Sequence, residues 1–390
     1  VSITWTEKPL AKMVTVTAGQ GAPQDAADFG GTGHPFIRAG SLDSLLKGLP
    51  EADCETLSDA SASKNGMRLF PRDTIVFAKS GMSAKLGRVY RLRDAAYLTS
   101  HLAALVPDGR ADPGYLHRWL TKNPPSHLIP NDSYPSIRLS DIERLSVPTP
   151  CEADEQRRIA AILDKADGIR ARRRAVLALT DDLLRAAFLD LFGDPVANPQ
   201  GWPKLPLGNL GKLERGRSMH RPRNDPKLYG GIYPFIQTGD VARAKDVIKS
   251  WSVNYSDFGL KQSRLWPAGT LCITIAANIA DTAVLGFDAC FPDSVVGFVP
   301  SDDATSEYIQ HVFRLLRAQI AKDAPVSAQA NINLDILRNL IVCVPPRALQ
   351  RKFSDLVARS RETSIRFRSA LAEADTLYAA LADRAFNEEL

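Results

Sequence analysis

The chain has 390 residues, enough for two or three hydrophobic cores, and its 44% hydrophobic and 24% charged content is that of an ordinary globular protein. A net charge of +5 permits nucleic-acid binding without demanding it, and suggests that partners share the work of any such binding. The five cysteines form no Cys-x-x-Cys pair, no apolar run approaches the ~18 residues of a membrane span, and no basic-then-apolar leader opens the sequence. A disulfide framework, a zinc site and a membrane partner are therefore unexpected, and a reduced, cytoplasmic setting is expected.

In chain order, short strand signals punctuated by Gly, Pro and Asn come first, over 36–38, 74–78 and 87–92. A helical stretch over 113–120 and a closing strand ending at Pro150 follow. A long helix is predicted over 155–192, where spacings of four and three from Ile159 through Leu163 and Ala166 to Leu184, Ala187 and Leu191 form an apolar seam. Arg170, Arg173 and Thr180 soften the middle of that seam. Glu152, Asp154 and Glu155 place negative charge at its N-terminus, and Gly193-Asp194-Pro195 stops it. At about 1.5 Å per residue this helix is a rod of roughly 57 Å. The Pro-, Gly- and Asn-rich stretch 194–206 reads as a linker. Strands over 234–237, 270–275 and 283–287, a helix over 306–320, a closing strand ending at Pro345 and a second long helix over 349–386 complete the series.

The second series repeats the first. Pro35-Phe36-Ile37-Arg38-Ala39-Gly40 returns as Pro234-Phe235-Ile236-Gln237-Thr238-Gly239, and Arg68-Leu69-Phe70-Pro71 as Arg264-Leu265-Trp266-Pro267. Ile137, Leu139, Leu145, Val147 and Pro150 return as Ile332, Leu334, Leu340, Val342 and Pro345, so the offset drifts from 199 at Pro35/Pro234 to 195 at Pro150/Pro345. A solenoid repeats every ~20 to 50 residues, so this is a tandem duplication of a whole domain. The seam is duplicated too, 194 residues on, as Phe353, Val357, Ser360, Ser364 and Phe367 through Tyr378 and Ala385. Two helices of matched length invite antiparallel pairing, with Arg170 and Arg173 set against the small Ser360 and Ser364 so that no guanidinium faces a large apolar row. The expected fold class is α+β: a globule over 1–150, a spacer helix over 151–193, the linker 194–206, a second globule over 207–348 and a second spacer helix over 349–390.

This order of elements, with LSDIERLSVPTPCEADEQRRIAAIL entering the first long helix and NLDILRNLIVCVPPRALQRKFSDLV the second, resembles the specificity subunits of Type I restriction-modification systems. The resemblance covers nearly the whole chain and rests on Pro150 followed by Gln156-Arg157, Pro345 followed by Gln350-Arg351, the phrase Phe235-Ile236-Gln237-Thr238-Gly239-Asp240, and the segment 269–297. It implies a non-catalytic subunit with two target-recognition domains held apart by an antiparallel coiled-coil spacer. It further implies binding to double-stranded DNA, two copies of an adenine-N6 methyltransferase docked on the spacer, and motor-nuclease subunits that join for restriction. The first copy departs most from the second, since 46–65 does not align with 247–261.

Two methyltransferase-like motifs invite an enzymatic reading, and their context argues against both. Phe29-Gly30-Gly31-Thr32-Gly33 fits Phe-x-Gly-x-Gly, which should link a strand to a helix so that backbone N–H groups approach the cofactor; here a strand follows instead. Asn123-Pro124-Pro125-Ser126 lacks the aromatic that would stack on an extruded base. Neither motif survives at the matching positions, Tyr229-Gly230-Gly231 and 322–325. Asp225-Pro226-Lys227 matches only the tail of a nuclease signature, Asp181-Asp182 and Asp302-Asp303 read as solvated carboxylates, and the six histidines lack ligand spacing. No catalytic residue, cofactor or metal is expected.

Recognition chemistry is expected in loops carrying forked or amide side chains, since Arg and Lys engage guanine edges, Asn and Gln adenine edges, and Ser or Thr phosphates or bases. In the second copy these are Arg217, Ser218, His220, Arg221 and Arg223, then Gln237 and Thr238, then Gln329, Asn331 and Asn333. In the first copy they are Lys79, Ser80, Ser83 and Lys85 in a glycine-containing loop, with Arg38 matching Gln237, and Ser136 and Arg138 matching Asn331 and Asn333. Two competing readings are a coiled-coil scaffold or adaptor, which leaves the duplicated globules idle, and the recognition subunit of another phage-defence complex. A stand-alone helix-turn-helix regulator is disfavoured, because its half-sites lie about 34 Å apart and need no such rod.

Overall fold

The strand that closes each copy returns to the strand that opened it, and this pairing brackets everything between. The computed structural model describes residues 4–387 apart from 245, 277–279 and 323–332. Trp5–Pro9 pairs antiparallel with Ser146–Pro150, and Lys204–Pro206 with Ile341–Cys343. A turn of 3-10 helix follows each opening strand and buries its first residue, Leu10 or Leu207.

The central sheet of the first copy runs in the order Thr15–Ala18, Leu102–Val106, Ile75–Ala78, Val89–Arg91, all antiparallel. The second copy repeats it as Gly211–Arg215, Val295–Pro300, Leu271–Thr274, Thr282–Leu285, and adds Val247–Ile248 in parallel at the edge. Successive side chains of a strand point to opposite faces, and both faces here are covered, so Ile75–Ala78 and Leu271–Thr274 are buried throughout and apolar but for Thr274. Ile75 and Phe77 pack on Tyr115 and Leu116 of the helix Pro113–Lys122, whereas Val76 and Ala78 pack on Ile37, Leu42 and Leu45. In the second copy Leu271 and Ile273 join Tyr308 and Val312 of the helix Ser306–Lys322, and Cys272 joins Ile236 and Val241.

The stretch 46–65, without an evident match in sequence, contains the same two elements as its counterpart. Thr56–Leu57 pairs with Phe29–Ile37 and leads into the helix Asp59–Lys64, as Asn254–Tyr255 pairs with Tyr229–Pro234 and leads into Asp257–Lys261. Ser58 and Ser256 cap these helices alike, accepting from the N–H of Ser61 and Gly259 at 3.1 Å. What differs is the edge strand Val247–Ile248, where the first copy has the 3-10 turn Glu51–Asp53.

The long helices span Ala153–Phe192 and Arg347–Phe386. The chain divides into two units, 1–174 with 370–390 and 175–369, so each unit holds one globule and one end of each helix. In the first, Ile159, Leu163, Ala382, Ala385 and Phe386 share a core with Tyr115 and Trp119, and the Phe386 and Tyr115 rings meet edge to face at 5.5 Å. In the second, Leu184, Phe188, Phe192, Phe353 and Val357 share a core with Tyr308 and Phe313; Phe353 lies 5.5 Å from Phe188 and 5.6 Å from Phe192. Opposite ends of the two helices meet in each unit, which is the expected antiparallel arrangement.

The expected register is not found. Arg170 donates to Asp375 at 2.6 Å and lies 4.2 Å over the Tyr378 ring, and Arg173 donates to the Ala370 carbonyl, so neither is set against Ser360 or Ser364. A carboxylate and a ring face compensate a half-buried guanidinium better than two hydroxyls do, and a heptad seam selects the facing side of a helix without fixing its axial offset.

A duplicated glutamine fastens helix to globule. Gln156 Oε1 accepts from the Asp112 N–H at 2.9 Å while its Nε2 donates to the Pro150 carbonyl at 3.1 Å. Gln350 Oε1 accepts from Thr305 N–H at 3.0 Å, and its Nε2 donates to the carbonyls of Asp303 and Pro345, both at 2.9 Å. Each therefore ties the start of a globular helix to the chain at or just after the end of the closing strand, and both glutamines are buried. Gln350→Ala strands a buried N–H and two carbonyls, so urea denaturation should show a loss of about 2 kcal/mol.

Burial, followed by the charge of Arg314, pushes His311 down to about 4 from its ordinary 6.5. Its Nδ1 faces the Glu307 carbonyl at 2.9 Å, which can only accept, so Nδ1 carries the proton and Nε2 accepts from Arg314 at 3.2 Å. Because the unfolded chain takes up this proton first, stability is full above the ordinary value and falls as pH drops towards the depressed one. Between about pH 6.5 and 4 the loss should reach about 3 kcal/mol at ~1.4 kcal/mol per unit, and His311→Asn should remove that part of the slope in denaturation series.

Candidate nucleic-acid interface

In the first copy, one stitch gathers the expected loop residues. Ser80 and Ser136 form an isolated antiparallel bridge, Ile137 N–H donates to the Lys79 carbonyl at 2.7 Å and Gly81 N–H to the Pro135 carbonyl at 2.9 Å. Gly81 takes a positive φ of 78°, which a side chain would oppose, and turns the chain into the 3-10 helix Met82–Leu86. Lys79, Ser80, Ser83, Lys85, Ser136 and Arg138 thus come from one loop and the segment bridged to it. Ser80 Oγ is 2.8 Å from His101 Nδ1, Ser83 is half-buried, and Lys85 pairs with Asp132 at 3.0 Å. Ser136 and Arg138 are exposed. The corresponding stretches of the second copy, 277–279 and 323–332, lie outside the described residues, and Gln329 and Asn331 with them.

The basic loop of the second copy is held both by its own atoms and by the segments 258–263 and 291–293. Arg217 N–H donates to the Phe291 carbonyl at 3.0 Å and its carbonyl accepts from Ser263 Oγ at 2.8 Å, which leaves the exposed Arg217 side chain on a fixed backbone. Ser218, by contrast, is buried. His220 Nε2 lies 2.7 Å from Asp225 and its ring meets Phe258 edge-on at 5.2 Å. Arg221 donates to the Ser218 and His220 carbonyls, and Arg223 grips both oxygens of Asp293 at 3.0 and 3.1 Å. Asp225 also accepts from Lys227 N–H at 3.0 Å, so the nuclease-like Asp225-Pro226-Lys227 is a capped turn.

Gln237 and Arg38 occupy the same place in the two copies, just before the helices Thr238–Ala244 and Ser41–Leu46. The Gln237 N–H donates to Asp240 at 2.8 Å and the Arg38 N–H to Ser41 Oγ at 3.3 Å. Thr238, the first residue of its helix, is half-buried. Their side chains have different surroundings. Arg38 pairs with Glu55 at 2.6 Å and lies 5.2 and 4.9 Å from the Phe29 and Phe36 rings. Gln237 is exposed beside an open cleft of about 540 Å³ shared with Asn224, Tyr229 and Asn254. Asn333 is committed otherwise: its Oδ1 caps the helix Leu334–Asn339, accepting from Ile336 N–H at 2.8 Å. Arg138, its counterpart before Leu139–Glu143, makes no such cap.

Sequence reasoning overlooked the apolar members of these surfaces. Met82 and Tyr134 flank the first copy's loop residues and Met219 sits within the basic loop, all exposed. Their signal was only adjacency to charged positions, which composition does not weigh.

Phe29-Gly30-Gly31-Thr32-Gly33 lies within the single strand Phe29–Ile37, and Asn123 ends the helix Pro113–Lys122, its amide donating to the Trp119 carbonyl at 3.2 Å. Among the described residues no group of three or more His, Cys, Asp or Glu could hold a metal ion, and no helix is long and apolar enough to cross a membrane.

A family model described as the Type I restriction modification DNA specificity domain matches twice, over residues 2–178 and 199–359. The Type I restriction enzyme MjaIX specificity subunit of Methanocaldococcus jannaschii is 19% identical over 383 residues, covering 90% of this chain and 86% of that protein. A crystal structure of the S subunit of a Type-I restriction-modification system from M. genitalium has a similar fold, with a TM-score of 0.63 at 14% identity over 98% of this chain and 96% of that one. A chain from a structure concerned with complex assembly and conformational transition of the type I R-M system gives 0.55 at 17% identity over 100% of both.

The contrast between Asn333 and Arg138 is measurable as stability. Asn333→Ala should cost about 1 kcal/mol through the lost cap, whereas Arg138→Ala should leave the denaturation midpoint essentially unchanged.

Proposed function

We propose, on the premise that this chain belongs to the Type I restriction-modification DNA specificity family, that its two copies each read one half of a bipartite, asymmetric site on double-stranded DNA. The chain is a specificity subunit without chemistry of its own; two adenine-N6 methyltransferase subunits would act on the sites it selects, and motor-nuclease subunits would join for restriction, in the cytoplasm. The observation that carries this reading is the double family match on a chain whose buried framework repeats while its exposed loop residues do not. A recogniser of a palindrome has no use for two different loops on one fold.

Residues 1–150 and 207–348 are taken as the reading blocks, and 151–193 and 349–390 as spacer helices joined to them directly or through 194–206. Exposed side chains on fixed backbone suit readout best, because a bidentate base contact needs a donor or acceptor whose position is settled before DNA arrives. Ser136 and Arg138 fill that role in the first copy, with the half-buried Lys79 beside them, and Arg217 and Gln237 in the second. Arg38, Lys85 and Arg223 already hold carboxylates, as does His220, and would serve by exchanging a surface ion pair worth under about 1 kcal/mol for a phosphate.

The test is co-expression with a methyltransferase subunit, followed by genome-wide mapping of methylated adenines. Arg217→Ala and Gln237→Ala should relax only the half-site read by 207–348, and Arg138→Ala only the other. A lost bidentate base contact costs about 1 to 3 kcal/mol at one position, whereas a lost phosphate contact weakens all sequences and reduces the salt slope by about one. Equal shifts in both half-sites, or unchanged site choice in folded variants, would refute the assignment.

A further inference from the structure

The duplicated seam contains one exchange that packing does not require. In the first unit Arg170 fills the seam, stacked on Tyr378 and bonded to Asp167 at 3.0 Å and Asp375 at 2.6 Å. The positions 194 residues from Arg170 and Tyr378 carry a small side chain, Ser364, and an aliphatic one, Leu184. A serine and a leucine cannot occupy the volume of an arginine on a tyrosine ring, and the second unit has a cavity of about 580 Å³ that both residues line. Interiors normally close such gaps, because lining atoms without neighbours forfeit their contacts.

The lining has two chemical characters. Leu184, Phe188, Val247, Leu315 and Ile365 form an apolar part, and Ile365 is 52% exposed. Among the described lining residues there are five Lys or Arg against two Asp. Asp246 is consumed by Arg361, at 2.7 and 2.9 Å, and by Arg314 at 3.4 Å. Asp182 is then the remaining carboxylate of the lining, against Arg185, Lys249 and Arg368. Positive charge concentrated in a concave, partly apolar site attracts an anion more strongly than the same charge on a flat surface. Guanidinium groups match phosphate geometry, and the volume is within the roughly 300 to 1,000 Å³ of small-molecule sites.

We propose that this cavity is a binding site for a phosphorylated small molecule of nucleotide size, with its phosphates on the side of Arg185, Lys249 and Arg368 and its apolar part over Leu184, Phe188 and Ile365. The occupant touches both long helices and the helices Thr238–Ala244 and Ser306–Lys322, and therefore stabilises the second unit. The site is distinct from the loops assigned to DNA and independent of that assignment.

The test uses the full chain, with ADP, GDP and UDP as probes and adenosine and inorganic pyrophosphate as fragments, read by titration calorimetry and thermal melting. At least one nucleotide should bind one per chain, at least tenfold tighter than either fragment, and raise the melting temperature. Leu184→Tyr with Ser364→Arg, which transplants the first unit's filling, should weaken binding at least tenfold without lowering the unliganded melting temperature. If that pair proves unstable, Arg185→Glu with Arg368→Glu, both on exposed helix surface, should weaken binding to the same extent. Arg138→Ala and Arg217→Ala should leave nucleotide affinity within twofold, which separates the cavity from the loops proposed for DNA. Absence of binding by all three nucleotides at millimolar concentration, pyrophosphate binding as tight as any nucleotide, or affinity that survives both cavity variants would overturn the proposal.

Discussion

Neither globule completes its core from its own stretch of sequence. Tyr115 and Trp119 are covered by Ile159 and Leu163 from the helix that follows them and by Ala385 and Phe386 from the far end of the second long helix. Tyr308 and Phe313 are covered by Phe188 and Phe192 from the helix that precedes their copy, and by Phe353 and Val357 from the one that follows. Burying a large side chain contributes about 1.5 to 3 kcal/mol, so these few positions outweigh any polar contact along the helices. Helix ends anchored in a core are fixed in direction as well as place. The glutamine ties at Gln156 and Gln350 then set the point at which each helix leaves its globule.

The same constraint explains what the duplication preserved and what it released. Side chains that close the framework recur with their bonds: Tyr115 and Tyr308 each donate to a carbonyl of the closing strand, Pro148 and Cys343. Gly30 and Gly230, each within the register shift of its strand, recur with φ of 100° and 85°. Positions facing solvent recur in backbone alone. Arg38 and Gln237 precede equivalent helices, yet one is locked to Glu55 and the other is exposed beside a cleft. A framework that fixes backbone independently of its exposed side chains lets those side chains change without loss of fold, which is the physical requirement for altering a recognised sequence.

Much of this was legible in sequence because apolar periodicity is a local property. The seam from Ile159 to Leu191 and its repeat from Phe353 to Ala385 placed both long helices to within two residues at their starts, and the short apolar run ending at Ala78 marked the central strand Ile75–Ala78. The axial register of the helices was not legible. It depends on where Asp375 and Tyr378 fall against Arg170, a matter of pairwise chemistry across 205 residues of chain between Arg170 and Asp375. The equivalence of 46–65 with its counterpart was hidden because a two-residue strand and a six-residue helix carry too few positions for a pattern. Among the recognition residues, type alone could not tell an exposed Arg217 from a self-bonded Arg221, or a free Arg138 from a capping Asn333; those differences are made by Asp and carbonyl groups distant in sequence or by local turns.

The central claim is that one chain carries two unlike readers on one duplicated fold. It is tested most directly by mapping methylated adenines across a genome in which the wild-type chain and its methyltransferase partner are the sole source of that mark. The account predicts a single motif made of two unlike defined halves flanking a fixed number of undefined base pairs. A continuous motif, or a palindrome with two identical halves, would contradict it.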